Sequence, residues 1–372
     1  MRRSTGLLVL AAVLALLWPI PARAEPRFSA QTGRSCGACH VNVTGGGMHT
    51  DEGAAFAHDA LPTFASAPAF EPWIAPYARI GAAIRVVDQV TLPAKTHQGE
   101  TEYTAEGSNA FTMRDASLRL RVDPIPDHLT LYLDETVNAE GAEAREAFAL
   151  LRIGRRGAYL KFGRFLLPYG LRLADDRAFV RAQTGFASTR REVGVEAGLD
   201  LEPVAFAVAF ATRSPLENAA LEGRRLAATA TVTTQWVLGG LSVAWDHTAD
   251  TLLPFDAVIA GAHAGGHYGP VVLLAEVDWL HGFDLTDDFD QLMVYVQASA
   301  EVYRGVHLRA GFEAFDPVWA LPENERDRFV FGASWFPVPL LEVRAAYRLN
   351  RDIPLRVEEN ADEIVVELHG FL

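Results

Sequence analysis

Leu341-Glu342-Val343-Arg344-Ala345-Ala346-Tyr347-Arg348-Leu349 decides the fold. Leu, Val, Ala, Tyr and Leu occupy the odd positions; Glu342, Arg344 and Arg348 stand between them. Alternation of this kind puts each set on its own face of a β-strand. The pattern recurs outward from this stretch. Val306, Leu308, Ala310, Phe312 and Ala314 alternate with His307, Arg309, Gly311 and Glu313. Ala116, Leu118, Leu120 and Val122 alternate with Ser117, Arg119, Arg121 and Asp123, and Leu129, Leu131 and Leu133 with Thr130, Tyr132 and Asp134. Charged residues in mid-strand suit a barrel that turns apolar side chains to lipid and charged ones to a wet lumen.

Roughly sixteen such segments run from Ala75 to the C-terminus, the even number a bacterial outer-membrane barrel requires. Short links such as Asp123-Pro124-Ile125-Pro126-Asp127, Glu202-Pro203 and Pro337-Val338-Pro339 alternate with long ones at 88–109, 166–190 and 350–362. Short turns at one end and long loops at the other complete the pattern. The last segment, Ile364 to Leu372, reaches the C-terminus and is expected to close against the first strand, which removes an exposed edge. A soluble periplasmic all-β sandwich is the competing fold. The long link 166–190 holds Arg172, Asp175, Asp176, Arg177 and Arg181. It reads either as a surface loop of paired charges or as a loop folded into the lumen.

The 372 residues are 49% hydrophobic and 22% charged, with a net charge of −14. That balance excludes nucleic acid as a partner, because phosphates would repel it. Arg2 and Arg3, the apolar run Gly6–Leu17 and Ala22-Arg23-Ala24 form a secretory signal peptide over 1–24. Beyond it no stretch is long and apolar enough for a spanning helix, so any membrane passage must use a closed barrel. Residues 25–70 form a separate small domain, followed by a Pro-punctuated linker and a porin-like barrel over 71–372. Within the small domain, Asp51 to Ala60 is expected to be a short helix with Thr50 as its N-cap and Phe56 on its packed face.

The chain has two cysteines, in Cys36-Gly37-Ala38-Cys39-His40. C-x-x-C-H is the attachment motif of a c-type haem: each thiol forms a thioether, and the adjoining imidazole becomes the proximal iron ligand. A thioredoxin-like C-x-x-C would sit in a βαβ context and needs no following His. One covalent haem c is therefore expected at Cys36, Cys39 and His40. The distal position has three candidates, His49, Met48 and His58. Gly45-Gly46-Gly47 lets the backbone turn sharply, which would bring Met48 or His49 back to the iron, whereas His58 would project from the short helix; His49 is the preferred candidate, and an open or water-bound sixth position is the alternative. His307 and His369 read as wall lining.

The stretch from Phe28 to Asn42, followed by Thr44-Gly45-Gly46-Gly47, resembles the fused monohaem cytochrome–porins, which include outer-membrane iron oxidases. The resemblance implies an N-terminal single-haem segment that plugs the lumen of a C-terminal barrel. Whether iron(II) oxidase-like activity comes with it is left open: the iron substrate does not carry over, because no residue here marks an iron(II) site at the mouth. The expected role is electron transfer between an extracellular donor or acceptor and a periplasmic cytochrome or other carrier, across outer-membrane lipid. The alternatives are a solute porin whose haem segment is a gate or sensor, and a soluble periplasmic haem protein.

Overall fold

The computed structural model describes residues 26–64, 72–98, 101–138, 141–154, 157–212, 222–249, 255–283, 288–321, 324–351 and 360–372. The expected signal peptide and much of the expected linker lie outside these residues.

Three short helices come first: α1 (Pro26–Thr32), α2 (Cys36–Cys39) and α3 (Asp51–Asp59). A short β1 (Trp73–Ala75) leads to β2 (Ala78–Thr91), the hairpin β3–β4 (Ala94–Gln98, Thr101–Ala105) and β5 (Ser108–Ile125). Next come β6 (Leu129–Asn138), β7 (Gly141–Ile153), β8 (Ala158–Phe165) and, after α4 (Phe179–Ala182), β9 (Glu192–Asp200). Then follow β10 (Val204–Thr212), β11 (Glu222–Thr233), β12 (Val237–Ala249), β13 (Phe255–Tyr268) and β14 (Val271–Phe283). The last five are β15 (Asp288–Tyr303), β16 (Val306–Asp316), β17 (Arg326–Trp335), β18 (Leu341–Arg351) and β19 (Glu363–Phe371).

Sequential neighbours pair antiparallel, and β19 pairs with β2 to close the ring. The sheet has 17 strands among the described residues; β1 pairs only with β2, which leaves sixteen in the wall. The C-terminal segment seals the closure as expected: Glu363↔Thr91 through Phe371↔Ala83, with Leu372 N–H donating to Ala82 O at 2.8 Å. A closed barrel rules out the sandwich.

The alternation resolves into two surfaces. Leu118 and Leu241 point outward, 62% and 67% exposed, while Lys161, Glu196, Asp278 and Glu342 point inward and are buried. An apolar outer wall around a charged interior belongs in a bilayer, not in water. Exposed aromatics mark both rims. Trp236, Tyr268, Tyr303 and Trp335 lie at the short-turn end, and Trp245 and Trp279 toward the long loops, the placement expected at lipid–water interfaces.

The lumen is filled, which the alternation alone does not predict. Residues 26–64 pack inside the wall at the short-turn end, with α1 against β12, β13 and β14. Gly33 comes so close to the β11–β12 turn that a Cβ there would meet Gln235 Cα at 2.7 Å; its φ of +70° also favours glycine. The link 166–190 enters from the opposite end. Leu167, Tyr169, Leu171, Val180 and Arg181 on it are all buried, so the lumen reading of this loop holds and the surface reading does not.

Candidate functional site

Cys36 and Cys39 bracket the single turn of α2, and His40 follows at its C-terminal end. Ser35 Oγ anchors the start of this turn by donating to Asp200 Oδ2 at 2.9 Å, a residue of the barrel wall. The chain then reverses through Gly45, Gly46 and Gly47, all with left-handed φ of +97°, +86° and +70°. Side chains strain this conformation, and a Cβ on Gly47 would lie 2.7 Å from Tyr132 Oη. The reversal pairs Val41 N–H with Met48 O at 2.9 Å and Thr50 N–H with Cys39 O at 3.0 Å. His40 and His49 become antiparallel bridge partners.

The turn therefore separates the three distal candidates. His49 arrives beside His40, with ring centroids 5.0 Å apart and planes tilted by 31°. Met48 is buried with its Cε near Gly81, packed against the wall. His58, on α3, pairs its Nδ1 with Asp59 at 2.7 Å. Direct cross-strand partners project from the same face. His49 thus stands beside His40 across the bridge, and either imidazole would offer a nitrogen to an iron held at this turn.

Burial, with help from the His40 and Arg119 charges, holds the His49 imidazole well below its usual pKa and hence neutral. Burial pushes the Cys36 thiol up against the pull of Arg172. It raises Cys39 to about 11, with further contributions from Glu52 and Cys36. Cys39 lies under α3, whose approach requires glycine at position 53: a Cβ there would meet Cys39 O at 2.2 Å. Thr50 Oγ1 caps α3 by accepting from Gly53 N–H at 3.2 Å, and Phe56 packs with Phe28, Ala57, Leu61 and Phe336, as the sequence predicts.

Wall residues fix the segment in place. Asn42 is the main joint. Its Nδ2 donates to Glu146 Oε1 at 3.0 Å, and its Oδ1 accepts from Lys161 Nζ at 2.9 Å. Lys161 also pairs with Glu196 at 2.9 Å, both fully buried. Tyr132 Oη accepts from Met48 N–H at 2.9 Å. Arg172, on the inward loop, donates through Nε to Thr44 O at 3.1 Å and through Nη2 to Leu167 O at 2.6 Å. Burial lowers its pKa to about 10, against the raising effect of Glu196 and Glu146, so it stays charged.

Beside this turn lies a cavity of about 480 Å³, within the range of about 300–1,000 Å³ usual for small-molecule and cofactor sites. Cys36, His40 and His49 form part of its wall. Phe28, Phe56, Phe336 and Phe371 supply an apolar side, and arginines including Arg119, Arg172 and Arg191 a cationic one. A porphyrin offers an apolar ring and two carboxylates, so donor set and lining fit a haem. His369 lines the cavity, while His307 packs between Phe28 and Phe336. Both are wall residues, as read from sequence. The contributions of Lys161 and Arg191 carry no sequence signal beyond an inward-facing charge.

No protein-family model matches the chain, and no curated protein sequence matches it. Solved structures do. An anion-selective porin from Comamonas acidovorans superposes with a TM-score of 0.62 at 12% identity, covering 79% of this chain and 99% of that one. The fold is that of an outer-membrane porin. OmpT of Vibrio cholerae gives 0.58 at 11% identity, covering 81% and 100%. The outer-membrane channel DcaP of Acinetobacter baumannii gives 0.55 at 11% identity, covering 82% and 100%. These neighbours are a porin, an outer-membrane protein and an outer-membrane channel rather than cytochrome fusions, and at such identities the likeness concerns the barrel alone. The porin fold and the lipid-facing wall place the protein in the outer membrane and set aside a soluble periplasmic form.

Proposed function

We propose that this outer-membrane barrel holds one covalent c-type haem inside its lumen and passes electrons between a periplasmic carrier and an extracellular partner. The observation that carries the reading is the position of the C-x-x-C-H turn. Cys36 and His40 wall a cavity within a plugged barrel, where a cofactor would be shielded from bulk water on the way between the two sides. Cys36 and Cys39 would attach the haem, His40 would be its proximal ligand, and the arginine side would meet its carboxylates. When bound, the haem supplies one-electron Fe(III)/Fe(II) exchange. The chain's own part is to orient His40, through the α2 turn and the His40–His49 bridge, and to exclude water with the phenylalanine side.

A second reading is a solute porin whose haem-bearing segment is a gate or sensor. It is favoured by the porin fold and by an inward loop that narrows the lumen. Purified outer-membrane protein separates the two. Electron transfer predicts a haemochrome spectrum with one haem per chain, and reduction of a periplasm-side acceptor inside liposomes by an impermeant outside donor. Free passage of sugars, with a haem blind to outside reagents, would favour the porin. Absence of covalent haem would overturn the electron-transfer reading.

A further inference from the structure

The cavity beside the Cys36–His40 turn has a sign opposite to that of the whole chain. The protein carries −14, yet among the described residues nine arginines and four carboxylates line this cavity. Several are neutralised: Arg119 by Asp134 at 3.3 Å, Arg344 by Glu342 at 2.6 Å, Arg145 by Asp115 and Arg181 by Glu276. Arg114, Arg172 and Arg191 differ. Among the described residues none of the three has a carboxylate within ion-pairing distance. Buried nitrogens of two of them, Arg172 Nη1 and Arg191 Nε, have no hydrogen-bond partner. Arg114 also lines a smaller adjoining space of about 60 Å³, where Arg309, Arg344 and Arg348 face Asp175, Glu313 and Glu367, so the charge there is close to balanced and the excess is concentrated in the larger cavity.

From this excess we infer that the lumen beside the site admits small, multiply charged anions and repels cations. The redox partner that reaches it is an anion, such as a metal ion held in a carboxylate or phosphate chelate, and not a hydrated metal cation. Low-dielectric walls around charge of one sign focus the field and raise the local concentration of the opposite sign. The electron exchange rests on the proposed haem; the charge selectivity does not.

Two measurements keep these apart. In the first, dithionite-reduced full-length protein meets ferricyanide or hexaammineruthenium(III) in a stopped-flow instrument. One electron leaves the ferrous site for either oxidant, giving the ferric site with ferrocyanide or hexaammineruthenium(II). The two oxidants differ in driving force, so the diagnostic is their response to salt and to substitution. Raising ionic strength from about 0.01 to 0.15 M shortens the Debye length from ~30 to ~8 Å. It should slow ferricyanide about 10-fold or more and speed the ruthenium complex. Arg114→Glu and Arg191→Glu should shrink both responses. In the second, haem-free full-length Cys39→Ala protein, with its barrel verified by circular dichroism, is labelled at Cys36. The probes are sulfonatoethyl and trimethylammonioethyl methanethiosulfonate, with rates scaled to those of 2-mercaptoethanol. The anionic reagent should be favoured about 10-fold. Equal scaled rates, or preference for the cationic reagent, would overturn the inference. Parent protein that carries no covalent haem, together with an anionic preference at Cys36, would refute the electron-transfer reading while supporting the selectivity.

Discussion

Lys161→Met should release the N-terminal segment from the lumen. Lys161 and Glu196 face each other across β8 and β9, Nζ to Oε1 at 2.9 Å, and neither has solvent exposure. The same Nζ donates to Asn42 Oδ1 of the segment at 2.9 Å and stands 4.4 Å from the Phe165 ring. Removing one partner of a buried pair leaves an uncompensated charge and costs about 3–5 kcal/mol. The pair is buried because the segment covers it. Once the segment lifts away, water enters the lumen and solvates Glu196. The penalty therefore acts on the docked state and shifts docking toward release by roughly 10²- to 10⁴-fold. Limited trypsinolysis in detergent micelles reads this as faster cleavage at Arg27 and Arg34, with the barrel core intact. Replacing both charges, as Lys161→Met with Glu196→Leu, should recover most of the loss, because apolar pairs of similar volume often equal buried ion pairs. A single variant cleaved within three-fold of the parent, or a double variant as labile as the single, would refute the reasoning.

Gly47→Ala should cost at least about 1–2 kcal/mol, from its φ of +70° alone. The approach to Tyr132 Oη adds to this, and the variant should show a lower Tm and less covalent haem per chain. His49→Ala should alter the Soret and visible bands, whereas Met48→Leu and His58→Ala should leave them unchanged. An unaltered His49→Ala spectrum assigns the sixth position to another ligand. Leu118→Arg, on the lipid face, should destabilise the barrel by about 2–4 kcal/mol near the bilayer midplane, measured by urea unfolding from liposomes.

The wall was legible because the bilayer imposes it. Lipid outside and charge inside force a period of two, and each alternating segment, from 306–315 to 363–372, appears as a strand. The Gly45–Gly47 reversal was legible for a similar local reason, since successive glycines permit what side chains resist. What fills the barrel was not. An inward Lys161 reads the same whether it faces water or Asn42, a residue 119 positions away. The loop after Phe165 carries charges that would suit solvent equally well. Its burial depends on partners such as Glu276, which accepts from Leu171 N–H at 3.1 Å, and Glu313, which accepts from Phe179 N–H at 3.0 Å. Such pairings across the lumen leave no periodic trace.

Arg172 ties these two unpredicted elements together. Its guanidinium spans Thr44 of the haem-motif segment and the Leu166 and Leu167 carbonyls of the inward loop. A guanidinium offers five donors in a fixed fork, so it can hold both chains at once where an ammonium could not hold that geometry. The segment that enters from the short-turn end and the loop that enters from the other end are thus one packed unit, with the cavity on their shared side. A simple gate would need the segment to leave without disturbing the loop. Here departure breaks the Arg172 contact to Thr44 and the Lys161 contact to Asn42 together. That coupling favours a segment that stays docked while something small and charged approaches it, which is what a fixed relay requires and a swinging plug does not.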